Sequence, residues 1–177
     1  MSPPILLQSS RVPFLILTPS CVFLGVALCY QQTGFISPIL AILTILGALS
    51  AHVSVNLLNE YQDFRSSLDF NTQRTAFSGG SGALTQQPNK ARLILLGGIT
   101  SYLCTAIIGI VIAYLTSWQL LPIGILGLII VAFYTPWINR SAVLCLIAPG
   151  LGFGILMITG TIIALGGELN LQNSLCA

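Results

Sequence analysis

The sequence predicts an all-α fold, a polytopic transmembrane helical bundle of about five spans that forms one integral membrane domain over residues 1–177. Three observations carry this expectation. The chain is 55% hydrophobic and 6% charged, with a mean hydropathy of +0.93, whereas soluble domains carry about a quarter charged residues. It contains five continuous apolar runs, at residues 12–30, 37–58, 93–115, 120–134 and 143–165. Its six basic residues all fall on one side of a bundle with those spans.

Continuous apolar runs of this kind suit helices that satisfy their own backbone, not the alternating strands of a barrel. The first run, 12–30, follows Arg11 and could be read as a cleavable signal. No small-residue cleavage site with a polar mature start follows it, and Leu28 precedes Cys29 where a lipoprotein signal wants a small residue, so a retained span is expected. The second run, 37–58, flows directly into a polar stretch of residues 59–90. The fourth run, 120–134, is short and is expected to tilt or to span marginally.

Orientation follows from charge. Arg11 precedes the first span, Arg65, Arg74, Lys90 and Arg92 lie between the second and third, and Arg140 lies between the fourth and fifth. The opposite connections at 31–34 and 116–119 are uncharged, so the positive-inside rule puts the N-terminus and the polar stretch in the cytoplasm and the C-terminus outside a cell membrane. The five cysteines, Cys21, Cys29, Cys104, Cys145 and Cys176, form no CxxC pair and read as small buried hydrophobes. Gly150-Leu151-Gly152-Phe153-Gly154 lies inside an apolar run, where close helix packing by small residues is expected in preference to a nucleotide fingerprint. Nothing in the chain suggests a nucleic-acid partner.

The chemistry is expected at the end of the second span. Of only four Asp and Glu residues, Glu60, Asp63 and Asp69 fall within ten positions, beside Asn56 and Asn59. On a helix, His52, Asn56, Asn59, Glu60 and Asp63 share an arc of about 100°, so one face becomes polar toward the cytoplasm and should line a cavity. His52 alone on its turn reads as a hydrogen-bonded packing residue. Carboxylates without His or Cys partners suit Mg²⁺, which keeps waters and binds through one or two carboxylates plus substrate phosphates. Arg65, Arg74, Lys90 and Arg92 could meet phosphate oxygens, or equally serve topology and anionic lipid. The stretch Ser78-Gly79-Gly80-Ser81-Gly82 offers backbone N–H groups and hydroxyls for the same purpose.

Asn59-Glu60-Tyr61-Gln62-Asp63, followed by Asp69 and by Arg74-Thr75-Ala76-Phe77-Ser78-Gly79-Gly80-Ser81-Gly82-Ala83-Leu84, resembles the first aspartate-rich motif of the UbiA prenyltransferase superfamily. The spacing before Asp69 is most similar to the 1,4-dihydroxy-2-naphthoate prenyltransferase branch. Phe133-Tyr134-Thr135-Pro136 and Gly150-Leu151-Gly152-Phe153-Gly154-Ile155-Leu156-Met157 resemble two further segments of that family. The resemblance implies Mg²⁺-dependent transfer of a polyprenyl group from its diphosphate to an aromatic acceptor of the quinone-pathway type. It implies Asn59, Glu60, Asp63 and Asp69 as metal-holding residues, Asp63 and Asp69 as the catalytic pair, and Asn56, Asn59 and Arg74 as diphosphate-binding residues. Partners would be the prenyl diphosphate, the acceptor and membrane lipid.

Family members have about nine spans and a second aspartate-rich motif in a later loop, so residues 1–177 correspond to about five spans of the N-terminal part. The Arg-Gly-Leu-Gly-Glu element common after the Tyr-Thr-x-Pro segment is replaced by Ser141-Ala142-Val143-Leu144-Cys145. The expectation is a transferase incomplete in this chain, which is either completed by a second chain supplying the other half or is itself a fragment. The alternative is a truncated non-catalytic membrane protein or binding subunit that retains the first diphosphate motif.

Overall fold

The computed structural model describes residues 4–71 and 80–170. Among them the order of elements is α1 (Ile5–Ser9), a 3-10 segment (Val12–Ile16), α2 (Leu17–Thr33), α3 (Pro38–Arg65), α4 (Leu68–Asn71), α5 (Ala83–Gln86), a 3-10 turn (Pro88–Lys90), α6 (Ala91–Leu115), α7 (Leu120–Phe133), a 3-10 turn (Ile138–Arg140), α8 (Ala142–Pro149), a π-helical segment (Gly150–Leu156) and α9 (Met157–Ala164). The described residues form no strand.

Local sequence sets the ends of these helices. Gly34 closes α2 at φ 68°, with its N–H on the Tyr30 carbonyl at 2.8 Å, a left-handed cap that needs no Cβ. Pro38 opens α3 at a position whose N–H has no helical partner to lose. Pro149 has no N–H to offer the preceding turn, and the helix continues beyond it as the wider π segment before returning to α geometry at Met157.

Among the described residues, four stretches are long and apolar enough to cross a membrane: Val12–Thr33, Pro38–Arg65, Pro88–Leu115 and Ala142–Ala164. The fourth apolar run of the sequence forms the 14-residue α7, about 21 Å long at 1.5 Å per residue and so short of the ~30 Å hydrocarbon thickness. It still carries the chain back across the bundle. Ser54 on α3 reaches Gly98 of α6 while Gly47 meets Ile108, so α3 and α6 are antiparallel. Tyr102 of α6 reaches Leu128 of α7 while Ile112 packs with Leu120, so α7 is antiparallel to α6. Gly25 meets Thr161 and Cys29 meets Leu165, so α2 and α9 run parallel, as the first and fifth of alternating segments must.

α2 and α9 approach closely at Gly25, where an added Cβ would lie 2.7 Å from the Thr161 Cβ. Gly150 and Gly152, expected from the sequence to pack helices closely, have open space where a Cβ would stand. The π segment turns Gly152 toward a cavity, so close packing belongs to glycines elsewhere in the chain. The outer faces are apolar, with Leu146 81% exposed and Ile39 69% exposed, the pattern of helices solvated by lipid. Aromatic pairs mark both ends: Tyr114 with Trp118 at one, Phe133 with Trp137 at the other. Among the described basic residues, Arg11, Arg65, Lys90, Arg92 and Arg140 all lie at the end where α3 finishes. Glu168 lies at the opposite end, where its N–H donates to Gln32 Oε1 at 3.1 Å.

Candidate functional site

The second span, expected to end at residue 58, continues as helix to Arg65, so Asn59, Glu60 and Asp63 sit on the last two turns of α3. On the same face below them are Asn56, Val55, His52, Ala51, Ala48, Gly47 and Thr44, the i, i+3, i+4 spacing of one helical stripe. This stripe forms one wall of a cavity of about 800 Å³. The remaining walls come from α6, α7, the π segment and α9, with Ile108, Ile112, Gly124, Leu128, Phe153 and Met157 among their contributions. From Asp63 to Thr44 the α3 wall spans about 28 Å at the helical rise of 1.5 Å per residue.

The charged side chains of the lining gather at one end, while the hydroxyls of Thr44, Thr105 and Thr161 lie farther along. Asp63 and Asp69 are 8% and 5% exposed, and both line the cavity there with Arg11, Asn56, Asn59 and Gly80. Asn59 is the hub. Its Nδ2 donates to Asp63 Oδ2 at 2.6 Å, and its Oδ1 accepts from Thr135 Oγ1 at 3.1 Å, which ties the segment after α7 to α3. Asn56 Nδ2 donates to the Ser10 carbonyl at 2.8 Å and fixes the turn that presents Arg11.

Arg11 adopts φ 53°, a left-handed conformation uncommon for a residue with a side chain. Its guanidinium enters the cavity wall, and Nε is buried without a hydrogen-bond partner among the described residues. Such a donor calls for an anion or water. Gly80 stands beside it at φ +73°, where an added Cβ would lie 2.8 Å from Asp69 Oδ1 and 3.6 Å from Arg11 Nη2. Glycine suits this dihedral, and a side chain there would press on the Asp69 carboxylate.

Glu60 faces elsewhere. It is fully buried but outside the cavity lining. Its Oε1 accepts from Ser81 Oγ at 2.7 Å, Ala83 N at 3.1 Å and Leu84 N at 3.4 Å, and its Oε2 from Ser81 N at 3.1 Å. Of the residues expected to hold metal, the structure therefore brings Asn59, Asp63 and Asp69 to one cavity end and sets Glu60 on the backbone of residues 81–84. Among the described residues, no three His, Cys, Asp or Glu side chains converge as a preformed metal cage. Arg74, expected to bind diphosphate, lies outside the described residues, as does Cys176.

His52 is the packing residue its isolation suggested. Its Nδ1 hydrogen-bonds Thr18 Oγ1 at 2.8 Å, and its ring meets Phe153 edge-on with centroids 4.7 Å apart. Arg65, Lys90, Arg92 and Arg140 are exposed and lie outside the cavity lining, positions suited to headgroups. Arg11 was missed as a site residue because a single base before an apolar run reads as a topology signal. Tyr134 and Asn139 also line the polar end; the resemblance at Tyr134 was the available hint.

Comparison with known proteins identifies a family and one relative. The sequence profile of the UbiA prenyltransferase family matches residues 19–177. The chain is 35% identical over 92 residues to a 1,4-dihydroxy-2-naphthoate octaprenyltransferase of Bacillus subtilis (strain 168). That stretch is 51% of this chain and 28% of the relative, so the match spans under a third of that protein's length. No solved structure matches significantly.

Proposed function

The chain belongs to the UbiA prenyltransferase family, and we propose that it binds a polyprenyl diphosphate and serves transfer of the prenyl group to an aromatic acceptor. The observation that carries this reading is the division of a single cavity into a short polar end, with Asp63, Asp69 and Arg11, and a long apolar bore. A diphosphate head with an isoprenoid tail has the same division. The naphthoate prenyltransferase relative supports an aromatic acid of quinone biosynthesis as acceptor.

The residues fit Mg²⁺ in its usual mode. Asp63 and Asp69 offer two carboxylates to one cavity end, and Mg²⁺ needs one or two, with waters and substrate phosphate oxygens completing its shell. When bound, the ion would offset negative charge on the departing diphosphate. Asn59 holds the Asp63 carboxylate in one orientation, and the unpartnered Arg11 Nε–H is available to a phosphate oxygen. Tyr134 gives the wall a ring at the polar end, where positive charge develops on the allylic carbon, and Phe153 and His52 add rings farther along the bore. The apolar bore excludes water from that carbon. The charge bias of the ends supports a cytoplasmic position for the polar end in a cell membrane.

The test is binding and transfer by the purified chain in lipid nanodiscs, using a prenyl thiodiphosphate for binding and a labelled prenyl diphosphate with dihydroxynaphthoate for transfer. Mg²⁺-dependent binding that Asp63→Asn removes supports the reading. Binding without transfer would favour the binding-subunit alternative, and no binding at all would refute both.

A further inference from the structure

Glu60 is the acidic group at this end of the bundle that the cavity leaves unused. A carboxylate with no exposed surface carries a heavy desolvation cost unless several donors meet it. Here three backbone N–H groups and one hydroxyl do so, all from residues 81–84. Converging backbone donors fix the path of a chain segment more tightly than one side-chain contact could. Apolar packing points the same way, since Ala83 and Leu84 are fully buried in a cluster with Ile5, Leu57 and Ile94. The residue directly before the anchored segment is Gly80, whose backbone stands against Asp69 and Arg11.

We propose that Glu60 is a positioning residue: its carboxylate anchors the Ser81–Leu84 turn to α3 and thereby holds the Gly80 backbone beside Asp69 and Arg11. This gives Glu60 a task different from the metal-holding one that the motif resemblance implies. With both oxygens on backbone or hydroxyl donors and neither facing the cavity, it sets the shape of the polar end from behind. The anchoring stands on the hydrogen bonds alone; its effect on ligand affinity rests on the prenyl diphosphate reading above.

The experiment is hydrogen exchange of the chain in nanodiscs, combined with Mg²⁺ titrations of prenyl thiodiphosphate binding. Glu60→Gln keeps the volume but turns a donor toward donors, so the amides of Ser81, Ala83 and Leu84 should exchange about tenfold faster or more, with α6 amides unchanged. Ser81→Ala removes one of the four bonds and should give a smaller effect in the same amides, which keeps the test valid if Glu60→Gln folds poorly. Thiodiphosphate affinity should fall about tenfold in Glu60→Gln while the Mg²⁺ concentration for half-saturation stays the same. Unchanged protection at residues 81–84 in both variants would overturn the proposal. So would a raised Mg²⁺ requirement without loss of protection, which would make Glu60 a ligand. Lost protection in a chain whose wild type binds no thiodiphosphate would uphold the anchor and overturn the reading of the cavity instead.

Discussion

Asn59 donates its side-chain N–H to Asp63 one helical turn further on, at 2.6 Å, while its carbonyl oxygen accepts from Thr135. One amide thus aims a carboxylate and joins α3 to the segment after α7. Asn59→Ala leaves a buried acceptor and a buried hydroxyl without their partner, which costs about 1–3 kcal/mol. The expected outcome is a lower unfolding midpoint in detergent together with weaker thiodiphosphate binding. Thr135→Val should reproduce the first effect in part and leave most of the second intact.

Asp63→Asn and Asp69→Asn each remove one of the two carboxylates at the polar end without changing shape. Each should abolish the Mg²⁺-dependent part of diphosphate binding, and the double variant should do no further harm. Titration calorimetry with and without Mg²⁺ reads this directly.

Arg11 is expected to contribute through a directed N–H group as well as through charge. Arg11→Lys keeps the charge but loses the planar fork, so it should recover only part of the affinity lost in Arg11→Ala. Loss in Arg11→Ala of about tenfold or more fits one charge-assisted hydrogen bond. Equal binding by the wild type and Arg11→Ala would remove Arg11 from the site.

Gly124 lines the bore with open space where its side chain would stand. Gly124→Leu should therefore fold normally and shorten the longest prenyl tail accepted, leaving short-tailed diphosphates bound as before. Competition with a ladder of tail lengths distinguishes this from general loss of binding.

Gly25 is the opposite case. A larger residue there meets the Thr161 Cβ and the Ile158 carbonyl, at 2.7 and 3.1 Å from an added Cβ. Gly25→Val should lower stability by about 1–3 kcal/mol through overpacking of α2 against α9. A thermal melt followed by helical circular dichroism measures it.

Much of the fold was legible because lipid imposes a strong pattern. Long apolar runs have few structural solutions in a bilayer, so the helices, their order and the clustering of basic residues at one end could be read directly. The length of α3 was less visible, since polar residues 59–65 look like a connection until a cavity is present for them to line. That Asp63, Asp69, Asn56 and Asn59 would line a cavity could be read from their types and spacing. Glu60 could not be separated from them, because its distinguishing feature is which way it turns, and that depends on the return of residues 81–84. Arg11 reaches the site through a left-handed turn, and no local periodicity encodes it. Gly150 and Gly152 were read as packing because sequence does not reveal the π segment in which they face open space.

On the proposed function, the diphosphate sits at Asp63, Asp69 and Arg11 with its tail along the bore. A prenyl diphosphate carrying a photoreactive group at the tail end, irradiated in nanodiscs and mapped by mass spectrometry, tests it most directly. Label should appear at the far end of the bore, on α6 near Ile108 and Ile112 and on α7 near Leu120 and Gly124, and vanish in Asp63→Asn or without Mg²⁺. Label on lipid-facing residues such as Ile39 and Leu146, insensitive to Asp63 and Mg²⁺, would contradict it.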